Sequence, residues 1–184
     1  MRLAPARTAT GRSTAPPLLF GVDAVPVDRV RGLLPAYGDR FARRLATPAE
    51  AAWVVGVGGG ETSTGHSAER LATLLAVKES AVKCLAGRPP RFRWQAVELD
   101  LKPAVEPDGE PVTPAAVAAT LEAFVAGVEL DAATDVACRL SGVALDRALE
   151  LLRAAPWADL RGAARYGTSG DTMLAVAAFW EEPA

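Results

Sequence analysis

An apolar helix carries the residues of this sequence that are best suited to chemistry. The stretch LLAVKESAVK (74–83) has the apolar spacing of a buried helix, yet Lys78 falls inside its apolar stripe. Because an unpaired ammonium is costly to desolvate, Lys78 must find an anion or reach solvent. Glu79 and Lys83 lie on the flank of the stripe, four residues apart, where they can face a common point. A surface ion pair would explain Glu79 and Lys83 alone, but Lys78 favours a site for an anionic ligand.

A further carboxylate, Asp23, stands near the end of the β-like run LLFGVDAV (18–25). Mg²⁺ binds through one or two carboxylates together with substrate phosphates and water, and lysines hold phosphate oxygens as point charges. Asp23 and Glu79 are therefore candidate metal ligands, with Lys83 beside them. This combination predicts phosphoryl transfer, in which positioning and charge neutralisation supply most of the catalysis.

Other patterns favour no competing chemistry. The glycine run GVGGGE (56–61) fails the dinucleotide fingerprint, because Glu61 stands where the third glycine is needed. His66 is the only histidine and is expected in a loop, which argues against a Ser/His/Asp triad or histidine-ligated zinc. Cys84 and Cys138 form no disulfide scaffold, and Cys84 is expected to pack within its helix without an activating base.

Length and composition predict one soluble domain. A chain of 184 residues suits a single domain with a substantial core, and no apolar run approaches the roughly 20 residues that a membrane span needs. Residues 1–16 lack the apolar segment of a signal peptide and are expected to be a disordered tail. The net charge of −2 argues against nucleic-acid binding, and the expected compartment is the reducing cytoplasm.

The order of the predicted elements indicates an α+β fold, in which a long helix over about 68–86 packs against an antiparallel sheet. We expect a single domain over 17–184, with a helical insertion at about 114–165. TPAE (47–50) is a capping box that starts a helix. The other predicted elements are two short helices around Pro35, a loop over 56–67, strands over 18–25, 92–101, 135–142 and 172–180, a turn at 107–111, and helices over 113–127 and 143–155.

Three ordered motifs resemble the 4′-phosphopantetheinyl transferases, specifically the short holo-acyl-carrier-protein synthase type. They are FGVDAVPVDRV (20–30), FARRLATPAE (41–50) and AVKESAVKCLAG (76–87), similar to the family patterns G-[IV]-D, F-x-x-R-x-x-T-x-x-E and K-E-[AS]-x-x-K. The turn DGEP (108–111) is similar to the family's hairpin. The fold that this resemblance implies is the α+β fold already indicated.

The resemblance implies transfer of 4′-phosphopantetheine from coenzyme A to a serine of an acyl or peptidyl carrier protein of fatty-acid or polyketide synthesis, with Mg²⁺ required and 3′,5′-ADP released. Asp23 and Glu79 match the metal-binding carboxylates; Glu79 would help deprotonate the serine, and Lys83 would neutralise the leaving pyrophosphate. The implied coenzyme A contacts are Lys78, Lys83, Gly87, Arg88 and Pro111. The implied carrier-protein contacts are Arg29, Arg40, Arg43 and Arg44.

Two departures from the family pattern support an alternative interpretation. Leu74 stands where short members carry an arginine, and no histidine follows in the C-terminal strands. The chain could thus be a weakened relative that binds carrier protein or coenzyme A without turnover, although retention of Asp23, Glu79 and Lys83 favours activity. The resemblance also implies a homotrimer with sites between protomers, an arrangement that the extra helices could preserve or replace.

Overall fold

A five-stranded antiparallel sheet with helices on both faces organises the computed structural model, which describes residues 17–55, 64–101, 115–128 and 130–182. The strand order is β1-β5-β4-β3-β2, with every neighbouring pair antiparallel. The α+β prediction is confirmed. Along the chain the elements are β1 (Leu18–Pro26), α1 (Val27–Leu45), α2 (Pro48–Val55), α3 (Thr64–Cys84), a 3₁₀ turn (Trp94–Ala96), β2 (Val97–Asp100), α4 (Ala115–Ala126), β3 (Thr134–Leu140), α5 (Gly142–Leu152), β4 (Leu160–Ser169) and β5 (Thr172–Glu181).

The long helix α3 forms the centre of the main core. Its Leu71 and Val77 are fully buried with one face of β5, to which Ala177 and Phe179 belong. The alternate β5 residues pack on the other face of the sheet, where Leu121 of α4 lies. Because both faces of β5 are covered, its sequence is an almost continuous apolar run.

Strand β1 lies unusually close to α3, and Gly21 permits this approach. A Cβ atom at Gly21 would lie 2.7 Å from the Cys84 backbone nitrogen and closer still to the Ser80 carbonyl oxygen. Since alternate residues of a strand share a face, Asp23 points to the same side as Gly21, towards α3. The glycine of the first motif therefore places the aspartate beside the helix of the third motif.

The sequence predictions for the helices hold with two corrections. The expected pair of short helices around Pro35 is wrong, because α1 is one 19-residue helix that contains this proline. Proline costs a helix one backbone hydrogen bond, but α1 buries Val30 and Leu45 in the core, and this packing supports the helix through the proline. The long helix begins at Thr64, so His66 lies in its first turn rather than in a loop.

The expected helical insertion over 114–165 contains strands as well as helices. It includes α4 and α5, but also β3, which was predicted, and the first part of β4, which was not. Both strands lie inside the sheet order, so this stretch is part of the sheet that supports the site. Of the stretch predicted as a strand over 92–101, residues 94–96 form the 3₁₀ turn and 97–100 form β2.

Several predictions fall on residues outside the described ranges: the tail 1–16, the glycine run 56–61 and the turn 107–111. The single-domain boundary at 17–184 stays a prediction. Among the helices of the described residues, none combines the length and the hydropathy that crossing a bilayer requires.

The capping box at the start of α2 forms as predicted and has a second function. The Glu50 carboxylate accepts hydrogen bonds from Thr47 N at 2.7 Å and from Leu99 N at 2.9 Å. It also accepts one from Lys78 Nζ at 2.8 Å, and the two charged side chains are fully buried. Lys78 completes its set of three donors on the carbonyl oxygens of Leu45 (2.9 Å) and Trp94 (3.1 Å).

Lys78 is therefore not available to coenzyme A, and its assignment as a contact is wrong. The anion that its position in the apolar stripe required is Glu50, 28 residues away in the chain. Burial lowers the pKa of the Lys78 ammonium, and the Glu50 carboxylate offsets part of that shift. We call these two side chains the buried ion pair.

We expect Lys78→Met to lower the free energy of unfolding by about 3–5 kcal/mol, because it leaves a buried carboxylate without its counter-ion. Urea unfolding followed by tryptophan fluorescence measures this loss. Lys83→Met is the matched control, since it removes the same charge from an exposed position of the same helix. The double variant Glu50→Gln/Lys78→Met should lose less than the sum of its two single changes. A loss of unfolding free energy below about 1 kcal/mol in Lys78→Met would show that the buried ion pair is not required for the stability of the fold.

Gly21→Ala should lower the unfolding temperature clearly, because the added methyl group would push β1 away from α3. Gly32→Ala is the control, since Gly32 lies in α1 and an added Cβ would meet nothing within 4 Å. That change should leave stability unchanged or raise it by up to about 1 kcal/mol. Equal thermal stability of both variants in calorimetry would contradict the close approach of β1.

Candidate active site

Asp23 and Lys83 meet across the contact between β1 and α3. Lys83 Nζ donates a hydrogen bond to Asp23 Oδ1 at 2.7 Å, although 60 positions separate the residues in the chain. The Asp23 side chain is 17% exposed and that of Lys83 is 54% exposed, so the pair lies at the rim of the core. The surface pair that local spacing suggested between Glu79 and Lys83 is replaced by this contact between two elements.

Glu79 lies one helical turn before Lys83 and is held by Arg88. Arg88 Nη2 donates to Glu79 Oε1 at 2.9 Å, and its guanidinium carbon lies 4.4 Å from the centre of the Trp94 ring. The turn that ends α3 directs Arg88 back along the helix. In this turn the amides of Ala86 and Gly87 bond to the carbonyls of Lys83 and Val82, which is the Schellman pattern, and Gly87 adopts a φ of 113° that favours glycine.

The predicted catalytic residues thus lie around one region, where β1, α3 and the turn after α3 meet. Two carboxylates, Asp23 and Glu79, are each bonded to one cation, so the four side chains are close to neutral together. In the described parts of the chain no group of three or more histidine, cysteine or acidic side chains could hold a metal ion. Two partly exposed carboxylates do fit Mg²⁺, which completes its shell with water and phosphate oxygens.

The other residues predicted to contact coenzyme A or a carrier protein do not all lie at this site. Gly87 and Arg88 lie in the turn beside Glu79, whereas Pro111 is outside the described residues. Leu74 is fully buried in the main core. Five residues correspond to about 140° around a helix, so position 74 faces the core and not Glu79. The four arginines predicted to contact a carrier protein are all exposed on α1: Arg29, Arg40, Arg43 and Arg44.

Two partners that hold the site in place, Trp94 and Glu50, were not predicted as such from the sequence. Trp94 supports Arg88 with its ring and Lys78 with its carbonyl oxygen, yet nothing in its local sequence distinguishes it from a strand residue. Glu50 was identified as a capping residue and as the last residue of the second motif, without a partner. Its second role has one sequence signal, the lysine in the apolar stripe of α3, which needs a buried anion.

The cysteines are structural, as expected for Cys84. Its Sγ donates to the Ala177 carbonyl oxygen at 3.3 Å. Burial raises the pKa of both thiols, that of Cys138 to about 12, so neither is a thiolate near neutral pH. Thiol nucleophile chemistry has no support at this site.

Residues 19–129 match the family model described as the 4′-phosphopantetheinyl transferase superfamily. The holo-[acyl-carrier-protein] synthase of Solibacter usitatus is 35% identical over 80 residues, which cover 43% of this chain and 58% of the relative. The enzyme of the same name from Koribacter versatilis is 32% identical over 88 residues, covering 47% and 65%. The match thus spans less than two thirds of the length of these relatives.

Solved structures show the same fold. The holo-[acyl-carrier-protein] synthase of Neisseria meningitidis superposes with a TM-score of 0.52 at 20% identity, covering 89% of this chain and 97% of that one. An ACPS–CoA complex from Chronobacterium ammoniagenes gives 0.53 at 18% identity, covering 91% and 99%. The family model covers more than half of the sequence and includes the candidate site residues, so the chain belongs to the 4′-phosphopantetheinyl transferase superfamily.

Proposed function

We propose that this chain transfers 4′-phosphopantetheine from coenzyme A to a serine of an acyl or peptidyl carrier protein. The observation that carries the proposal is the contact between Asp23 and Lys83, which come from two separate motifs of the family pattern, with Glu79 one helical turn before Lys83 on α3. Relatives named holo-[acyl-carrier-protein] synthase and a solved relative in complex with coenzyme A support the choice of substrates.

In this reaction the serine oxygen attacks the phosphorus that carries pantetheine, and the bond from that phosphorus to the bridging oxygen breaks. The serine loses a proton, and 3′,5′-ADP leaves with the bridging oxygen and its electron pair. Glu79 would accept the proton, since its carboxylate is partly exposed at the end of α3 where the substrate would bind. Lys83 would neutralise the charge that develops on the leaving phosphate. Mg²⁺, when bound, would be held by Asp23 and Glu79 and would neutralise the pyrophosphate.

One face of α1 has the composition of a docking surface for the carrier protein. At 100° per residue, Arg29, Leu33, Tyr37, Arg40 and Arg44 fall on one side of the helix. Leu33 is 37% exposed and Tyr37 57% exposed, so two apolar side chains lie between arginines at both ends. Apolar anchors flanked by positive charge suit an acidic protein partner, and we call this surface the α1 face.

Mass spectrometry of an apo carrier protein incubated with coenzyme A and Mg²⁺ tests the proposal. We expect a mass gain of one phosphopantetheine with the wild-type chain. Asp23→Asn and Glu79→Gln should each abolish the gain while the circular dichroism spectrum stays unchanged. Binding of coenzyme A without any mass gain from several carrier proteins would instead identify a weakened relative that binds without turnover.

Lys83→Ala should lower kcat far more than it changes the KM for coenzyme A, because charge on the leaving group develops only in the transition state. Steady-state kinetics with carrier protein in excess separates the two constants. An unchanged kcat with a raised KM would show that Lys83 contributes uniform substrate binding.

Reversal of charge on the α1 face should raise the KM for carrier protein and leave that for coenzyme A nearly unchanged. Arg29→Glu and Arg44→Glu are the test variants. Arg31→Glu is the matched control, because Arg31 lies about 200° around the same helix from Arg29 and pairs with Asp28. The rate at low carrier concentration should also fall as salt is added. Equal effects of all three reversals would exclude this face as the docking surface.

A further inference from the structure

Arg88 holds a carboxylate that the proposed function assigns to a metal ion. Its Nη2 atom donates to Glu79 Oε1 at 2.9 Å, and the arginine side chain is 54% exposed. A divalent cation and a guanidinium on the same carboxylate repel each other and compete for its oxygens. Metal binding at Glu79 therefore has to weaken or displace the contact with Arg88.

Arg88 has a second anchor that would keep it at the site after such a displacement. Its guanidinium carbon lies 4.4 Å from the centre of the Trp94 ring, a cation–π contact that does not depend on Glu79. A planar guanidinium can stay stacked on an indole while its donors turn to another acceptor. The Trp94 backbone is fixed in turn by the bond from Lys78 to its carbonyl oxygen.

The next acceptor available to Arg88 would come from a ligand. The residue is among those that line a cavity of about 450 Å³ between the turn after α3 and helix α5, and its side chain is 54% exposed, so a ligand can reach it. The guanidinium fork matches two oxygens of a phosphate, and such charge-assisted bonds are stronger than neutral ones. A nucleotide phosphate arriving with the metal ion would supply these oxygens.

We propose that Arg88 is an exchange residue: it neutralises Glu79 when no divalent cation is bound, and it donates to a phosphate of the nucleotide substrate once a cation takes Glu79. The proposal rests on the proposed function for the identity of the metal and the substrate. Lys83 differs, because it pairs with Asp23 and stacks on no aromatic ring of the described residues. The exchange would couple nucleotide binding to metal binding, since each makes the other more favourable.

The test compares two equilibria in the full-length Arg88→Gln variant. Binding of Mn²⁺ alone, measured from the electron paramagnetic resonance signal of the free ion, should become about two- to fivefold tighter, because an exposed competing ion pair is lost. Binding of coenzyme A at saturating Mg²⁺, measured by calorimetry, should become about tenfold weaker or more. Arg88→Lys keeps the positive charge, so its affinities for Mn²⁺ and for coenzyme A should lie between those of the wild-type chain and of Arg88→Gln.

Arg161→Gln is the control, because Arg161 of β4 is also an exposed arginine, paired with the carboxylates of Asp159, just before β4, and Glu182, just after β5. It should leave both affinities unchanged. Weaker or unchanged Mn²⁺ binding in Arg88→Gln, or no Mn²⁺ binding by the wild-type chain, would overturn the exchange. If Arg88→Gln binds Mn²⁺ more tightly and coenzyme A more weakly, but the wild-type chain modifies no carrier protein, the exchange would be upheld and the proposed transferase activity contradicted.

Discussion

The buried ion pair is the interaction on which the rest of the structure depends. Lys78 and Glu50 are fully buried, and such a pair is tolerated only where the remaining donors and acceptors are satisfied. Here the ammonium donates to three oxygens and the carboxylate accepts from three nitrogens. Through these bonds one pair connects the end of α1, the start of α2, the middle of α3, the 3₁₀ turn and the edge strand β2.

This connection has direct consequences for the candidate active site. Because Lys78 is fixed towards the core, the next residue of α3, Glu79, is directed about 100° away, towards the edge of the core. The bond to Trp94 O fixes the backbone that carries the indole beneath Arg88. The close approach of β1 to α3 at Gly21 brings in the last part of the site, because β1 carries Asp23. The site is thus built on a strand, a helix and a turn that are bonded to the core, and its charges are balanced by Lys83 and Arg88.

The sequence predicted the parts of the site whose signal is local. Spacing and motif order identified Asp23, Glu79 and Lys83, and the structure brings the first and the last into contact. Lys78 was correctly found to need an anion, but the wrong anion was inferred. Its true partner is distant in sequence, and helical periodicity reports which face a residue occupies without identifying what packs against it.

The elements of the fold were likewise predicted where their signal is local, and missed where they depend on packing between distant parts of the chain. The β5 run and the capping box are strong local patterns, and both were found. The continuous helix through Pro35 could not be predicted, because packing against α3 outweighs the local cost of a proline. Strand β4, LRGAARYGTS, has two glycines and few β-branched residues, so only its pairing with β3 and β5 identifies it as a strand.

Paramagnetic broadening by Mn²⁺ in an NMR spectrum of the isotope-labelled chain tests most directly whether Asp23 and Glu79 form one metal site. The account predicts that a substoichiometric amount of Mn²⁺ broadens amide signals around Asp23 in β1 and around Glu79 in α3 together, and that Asp23→Asn abolishes both effects. Broadening at only one of these two places, or at other acidic residues, would contradict a shared site.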